Sequence, residues 1–421
     1  MGETKKNKKD LMIGIFGRRK VGKTNLAASL GGKVRPPRSA AAVANAPVKL
    51  KGLGNVNLLV PPGLDDERAL GAGAAEAKAL LERIDLAVVV IDASLGWSDY
   101  EKFLLSKIRF SGDPVVAVVN VEPGEDPSAL LDLLKRFNVP AVALDLSRPG
   151  DASPVVDLLA SEVKRVREQP SLVSGLVKKG DTVWLVVPDS RPSYLDPVGP
   201  LEMRLTADAV EAGATVSVIR ASELRRRWEE ITERPDLVAA DSSVFGQVLD
   251  LLPDDVPLTT PRILLSRQRG ELDLYVRGAE AISDLKPGDR VLIAEACGLH
   301  VQPDDIARVE VPNLLRKWVG GDLEFSTSGG GATLEGVEGY DLVVRCAACT
   351  LDPATSADSL KAVRESGTPV TNYGVALAYM HGILSRMIEP FVRAGELAPL
   401  RSESRSIPVE LHDELCLPPG M

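Results

Sequence analysis

The sequence predicts an α/β protein of three successive domains, and three observations carry that prediction. Short apolar runs rich in β-branched residues alternate with helical stretches along most of the chain, the pattern of parallel strands joined by helices. One strand runs into a glycine-rich turn of the form G-x-x-x-x-G-K-T and then into a helix. Two later apolar runs each end in cysteine, at Cys297 and at the pair Cys346/Cys349. The expected boundaries are 1–170, 171–265 and 266–398, with a tail at 399–421.

The first domain opens with Asp10-Leu-Met-Ile-Gly-Ile-Phe, a strand. Gly17-Arg-Arg-Lys-Val-Gly22-Lys23-Thr24 follows, then a helix at 25–30. In that context the turn is a phosphate loop. Its glycines let the backbone wrap a phosphate, and its amides and the helix N-terminus aim positive dipole at it. The expected nucleotide contacts are Gly17, Lys20, Val21, Gly22, Lys23, Thr24 and Asn25. Lys23 would reach the β and γ phosphates, and Thr24 would ligate magnesium. Strands are expected at 55–60, 86–92, 114–120 and 139–146, and helices at 67–83, 127–137 and 153–166. Together these predict a doubly wound parallel sheet of small-GTPase size.

Other GTPase elements are altered. The Asp-x-x-Gly that follows the strand in such enzymes reads Val60-Pro61-Pro62-Gly63, so Gly63 is kept and valine stands where the magnesium carboxylate belongs. The guanine-reading Asn-Lys-x-Asp reads Asn120-Val121-Glu122-Pro123 and keeps only Asn120. The linker 31–53 offers Ser39 and then only Ala, Val, Asn and Pro through Pro47. Phosphoryl transfer is almost wholly positioning and charge neutralisation, so weak or absent GTP hydrolysis is expected. An unmatched guanine edge also predicts reduced base selectivity.

The middle domain reads as another small parallel unit, with strands at 181–188, 214–220 and 236–240 and helices at 200–212, 222–232 and 242–252. It contains none of the three histidines, which are His300, His381 and His412. A structural or oligomeric role fits it better than catalysis. In the third domain, 257–266 leads in and 279–285 is helical. Further helices are expected at 304–310, 312–320, 356–367 and 375–391, and strands at 291–296, 322–326, 341–344 and 369–373. If the two cysteine-bearing strands lie parallel in one sheet, Cys297, Cys346 and Cys349 emerge at its carboxyl edge, where open α/β sheets place ligands. Three thiolates there suit an iron–sulfur cluster or zinc. Cys416 is given no role.

The chain has 421 residues, 44% hydrophobic and 26% charged, with a formal net charge of -9. An acidic balance argues against a broad nucleic-acid surface. No apolar run approaches the roughly 18 residues of a membrane span, and the charged start lacks a signal-peptide core. A cytoplasmic protein is expected, with no nucleic-acid or membrane partner.

At this point the chain resembles the FeFe-hydrogenase maturation GTPases of the HydF type. The carrying residues are Val291-Leu-Ile-Ala-Glu-Ala-Cys297, Asp305-Ile-Ala-Arg-Val-Glu-Val-Pro and Cys346-Ala-Ala-Cys349. Thr371-Asn-Tyr-Gly-Val-Ala-Leu-Ala-Tyr, Pro235-Asp-Leu-Val-Ala-Ala-Asp-Ser and Gly17-Arg-Arg add to them. The resemblance implies GTPase, dimerisation and cluster-binding domains in that order, and a homodimer. It implies a four-iron (4Fe-4S) cluster on Cys297, Cys346 and Cys349, carrying a diiron precursor for the hydrogenase. It further implies work alongside radical-SAM maturation proteins. Leu299 and Arg345 stand where the family has histidines, while His300 matches a second histidine often found there and is carried over as a candidate metal ligand. Lys20 replaces an asparagine that helps hold potassium in related GTPases, and its ammonium is expected to substitute for that cation.

The expected function is therefore a HydF-like iron–sulfur scaffold or carrier that binds GTP with magnesium weakly and hydrolyses it poorly. Two other readings stay open on the residues alone: an active nucleotide hydrolase with a metal-bearing regulatory domain, and a zinc-stabilised interaction protein.

Overall fold

The computed structural model describes residues 10–33, 43–61, 80, 83–110, 114–189, 198–295, 309–329, 334, 336–346, 353–401 and 406. The chain forms two compact units, Met1–Gln169 and Pro170–Met421.

In the first unit the apolar runs become β1 (Leu11–Phe16), β2 (Ala44–Leu50), β3 (Gly54–Val60), β4 (Leu86–Asp92), β5 (Val115–Asn120) and β6 (Ala141–Leu144). Among the described residues they form a six-stranded sheet in the order β2-β3-β1-β4-β5-β6. Its central strands are buried on both faces, with Ile13, Leu58, Val88 and Val118 at 0% exposure on one and Ala87, Ala117 and Val119 at 0% on the other, as parallel sheets covered by helices require. The sheet is mixed rather than all parallel, because β2 runs antiparallel to β3. That strand lies inside the stretch read as a linker. Its Pro47 pairs with Asn57, and a proline is tolerated there because β2 is the edge strand of the sheet among the described residues. The expected helix at 67–83 falls almost entirely outside the described residues.

A helix the sequence reading did not assign, Asp99–Phe110, follows β4. Its start is a capping box: Ser98 Oγ accepts from Tyr100 N at 3.2 Å, and Glu101 Oε2 accepts from Ser98 N at 3.0 Å.

The second unit holds two sheets. β7 (Thr182–Val187), β8 (Thr215–Arg220), β9 (Leu237–Ala240) and β10 (Leu258–Thr259) lie in the order β10-β9-β7-β8. β11 (Arg290–Glu295), β12 (Glu324–Gly329), β13 (Leu342–Arg345) and β14 (Val370–Asn372) lie in the order β12-β11-β13-β14. All the pairings are parallel. Both sheets wind identically: the second strand joins one side of the first, and the third and fourth join the other. One apolar core runs through both, including Trp184, Phe245, Leu264, Tyr275, Leu314 and Phe391.

The stretch read as a lead-in becomes β10 and the helix Pro261–Gln268, capped by Thr260, whose Oγ1 accepts from Ile263 N at 3.0 Å. The helix Leu272–Glu280 follows, starting before the expected 279. The expected helix at 375–391 is two, Tyr373–Met380 and Leu384–Arg393, divided where Gly382 takes φ 69°. The middle sheet leaves β8 at its edge with Val218 47% exposed, and the helix Pro200–Glu211 exposes Met203 and Val210. No helix among the described residues is long and apolar enough to cross a membrane.

Gly278 sits where Leu272–Glu280 meets β14, and a Cβ there would lie 1.8 Å from the Val370 carbonyl oxygen. Gly→Ala in a helix ordinarily stabilises by about 1 kcal/mol. Here the sign should reverse: Gly278→Ala is expected to lower stability by about 1–3 kcal/mol through overpacking. Chemical denaturation would check it, and a stabilised variant would refute the contact.

Candidate functional site

The phosphate loop forms where the sequence places it, at the carboxyl end of β1 between β3 and β4. Its glycines are dictated by space as well as torsion. Gly17 has φ 140° and a Cβ there would stand 2.3 Å from the Val90 carbonyl oxygen. Gly22 has φ 102° and a Cβ there would stand 2.8 Å from Leu146 Cβ. Lys20 takes a left-handed φ of 63° and is exposed. Val21 is buried and anchors the loop, so only its backbone can serve a ligand. Thr24 is exposed at the start of the helix Lys23–Ser29.

Lys23 is buried, and its ammonium donates to the carbonyls of Gly17 at 2.8 Å and Arg18 at 2.5 Å. The side chain thus lies along the loop with its charge held at the cradle. Asn25 is committed elsewhere: its Nδ2 donates to Leu146 O at 2.7 Å. Asn120 ends β5, and its Oδ1 accepts from Leu146 N at 2.8 Å. The backbone of Leu146 therefore links the loop helix to the remnant of the base-reading motif. Val60 is buried at the end of β3, so an apolar side chain occupies the position of the expected magnesium carboxylate. Gly63 lies outside the described residues.

Sequence reasoning missed the role of Arg18. Its guanidinium makes a two-pronged ion pair with Glu101, Nε to Oε1 at 2.7 Å and Nη2 to Oε2 at 2.5 Å, and Nη2 also donates to Ser98 Oγ at 2.8 Å. Glu101 is only 2% exposed. The hydrogen bond to Glu101 outweighs partial burial and raises Arg18 above its ordinary value, so the guanidinium stays charged. The signal for it was the capping box Ser98-Asp-Tyr-Glu101.

The second candidate site lies in the third sheet. β11 and β13 are adjacent and parallel, with Ala294 opposite Arg345. Cys346 follows β13 directly, is half-buried, and donates its amide to Ala294 O at 2.9 Å. Cys297 comes two residues after the end of β11. Cys297, His300 and Cys349 lie outside the described residues. Because the chain passes from β11 to β12 on one side and then to β13 on the other, the carboxyl ends of β11 and β13 flank the point where the winding reverses. Open α/β sheets hold their ligands in that crevice.

These features define a class: a phosphate-loop, GTPase-like domain followed by two parallel α/β sheets, the second with a cysteine at its carboxyl edge. Residues 172–270 match the hydrogen maturase F dimerization domain and 273–390 match the hydrogen maturase F tetramerization domain. The chain belongs to the hydrogen maturase F (HydF) family, the maturases of FeFe hydrogenase, and domains so named indicate a homo-oligomer. No curated protein matches the chain. Solved structures with similarity include the translation elongation factor SelB of Methanococcus maripaludis bound to a GTP analogue, at 16% identity and TM-score 0.31, covering 37% of this chain and 34% of that one. The chain thus spans about a third of that factor's length. The G domain of the T. maritima FeoB iron transporter matches at 17% identity and TM-score 0.29, over 36% of this chain and 98% of that one. An Aquifex aeolicus Era variant bound to GDP and AlF4- matches at 17% identity and TM-score 0.30, over 50% and 92%.

Glu101→Gln would leave Arg18 without its charged partner. A fully buried pair broken this way costs about 3–5 kcal/mol; Arg18 keeps some contact with water, so about 2 kcal/mol is expected. Thermal melting should show the loss, and titration with a fluorescent guanine nucleotide should show weaker binding. Unchanged stability and affinity would mean the pair does not hold the loop.

Proposed function

We propose that this chain is an iron–sulfur scaffold or carrier in FeFe-hydrogenase maturation, working as a homodimer whose first unit binds guanine nucleotide and hydrolyses it weakly or not at all. The observation that carries the reading is the placement of β11 and β13. They are neighbours at the winding reversal of the third sheet, and each leads into a cysteine group. Cys297, Cys346 and Cys349 would hold a four-iron cluster, with His300 a candidate for the remaining position. Three thiolates and a nitrogen form a soft donor set suited to iron–sulfur chemistry. When bound, the cluster would supply an attachment point for a metal precursor destined for the hydrogenase. The hydrogenase and radical-SAM maturation proteins are the proposed partners.

The phosphate loop supports nucleotide binding. Gly17 and Gly22 keep the cradle free of side chains, and Lys23 places its charge there. Valine at position 60 supports weak turnover, since a magnesium-bound water loses the carboxylate that would hold it.

Anaerobic reconstitution tests the cluster. About four irons and four sulfides per chain are expected for this cluster type, falling sharply in Cys297→Ala and Cys346→Ala. Bound zinc, or full folding with no metal taken up, would reject the carrier reading.

For the homodimer, the proposed contact is the edge of the middle sheet. Among the described residues β8 is an edge strand beside exposed Val218, Met203 and Val210, and such an edge pairs readily with another strand. Val218→Asp should shift the protein toward monomer in sedimentation experiments. An unchanged mass would place the contact elsewhere.

A further inference from the structure

Among the described residues Arg345 is the bulkiest side chain to be fully buried, at 1% exposure. It is the last residue of β13, opposite Ala294 of β11 and Asn372 of β14, and Cys346 follows it. A guanidinium brings a permanent charge and five N–H donors into the interior, and both require partners. Two of the nearby polar groups, Asn372 and the Tyr275 hydroxyl, are already engaged. Asn372 donates to Ser266 Oγ at 3.0 Å and accepts from Val375 N at 2.9 Å. The Tyr275 hydroxyl donates to Glu271 Oε2 at 2.9 Å. Arg345 Nη1 is left with no hydrogen-bond partner among the described residues. Its field is felt on that face of the sheet: it opposes, without overcoming, the upward push that burial gives the Tyr275 hydroxyl.

A buried guanidinium whose Nη1 has no partner among the described residues, one residue from a proposed thiolate ligand, calls for an anion at the same edge. We propose that Arg345 is the fixed countercharge of the cluster proposed above, and that it raises the reduction potential of that cluster. The inference rests on the cluster reading. A cluster held by thiolates carries net negative charge. Reduction adds one electron from an external donor and takes up no proton, so the group becomes more negative by one charge. A neighbouring guanidinium, which does not deprotonate in proteins, favours that more negative state. The competing assignment is that Arg345 balances Glu271, which is itself 1% exposed with Oε1 unpartnered.

The test uses the full chain as wild type, Arg345→Gln and Arg345→Lys, reconstituted anaerobically with iron and sulfide counted. Each is titrated with dithionite at set ambient potentials, and the reduced cluster is read by electron paramagnetic resonance. At a given potential the ratio of reduced to oxidised cluster should be at least tenfold lower in Arg345→Gln than in wild type, equivalent to 59 mV for a one-electron couple. Arg345→Lys, which keeps the charge, should stay near wild type. Equal ratios in wild type and Arg345→Gln at equal iron content would overturn the proposal and leave the cluster standing. Iron-free wild type would remove the cluster reading and this one with it. The metal-free chains are melted as well, so that a variant that takes up no iron still decides. If the cluster is its counterion, Arg345→Gln should melt no lower than wild type, because in the metal-free protein it removes a charge that the cluster would otherwise balance. A clear fall in melting temperature would assign Arg345 to Glu271 and overturn the proposal.

Discussion

A parallel strand pair cannot be closed by a tight turn, so each connection must cross a face of the sheet, and the layout of this protein follows from that. Where successive crossovers leave on opposite sides, the ends of two adjacent strands are uncovered and the backbone there is free to meet a ligand. The first sheet uses that opening for Gly17 to Thr24, at the end of β1 between strands added on either side. The third uses it for the strand ends that lead to Cys346 and Cys297. The same construction requires close approach elsewhere. Gly17 lies against Val90 and Gly278 against Val370, in both cases with no room for a methyl group.

Binding a phosphate and transferring it make different demands, and the first unit separates them. Binding needs amides, a helix N-terminus and a cation, all of which are present around Gly17, Gly22 and Lys23. Transfer also needs charge neutralised in the transition state, which is where a magnesium ion and its carboxylate act. Val60 supplies none of that and is packed into the core. The ion pair between Arg18 and Glu101 is a fixed support: it ties the loop to the helix Asp99–Phe110, and the carbonyl of Arg18 in turn holds Lys23.

The strands buried on both faces were legible in the sequence, because a run such as Leu86-Ala-Val-Val-Val-Ile has no surface alternative. So was the phosphate loop, whose spacing is fixed by what it must wrap. β2 was not, since Ala44-Asn-Ala-Pro-Val-Lys-Leu is poor in strand formers and includes a proline. It is a strand because β3 pairs with it, a tertiary cause that no local propensity reports. The division of the helix near 381 was hidden for a related reason: Tyr373-Gly-Val-Ala-Leu-Ala-Tyr-Met is apolar all round and gives no periodic face from which to read its end. The burial of Arg345 was invisible too. A charged residue at a strand end ordinarily turns to water, and only the layers packed on β13 show that this one does not.

The boundary between the two family domains, at 270–273, is not a physical boundary. It falls between the helices Pro261–Gln268 and Leu272–Glu280, and Leu264 of one and Tyr275 and Val276 of the other lie in one continuous core. Asn372 at the end of β14 bonds to Ser266 across that boundary. Arg267 grips Glu396 through both carboxylate oxygens and also donates to the carbonyl of Ser174. Arg386 donates to the carbonyls of Leu252 and Pro253. Cutting the chain at the boundary would expose Leu264 and Tyr275 to water and strand these donors. The middle sheet is therefore part of the same folded body as the cysteine-bearing edge, and a partner docked on β8 rests on the body that carries Cys346.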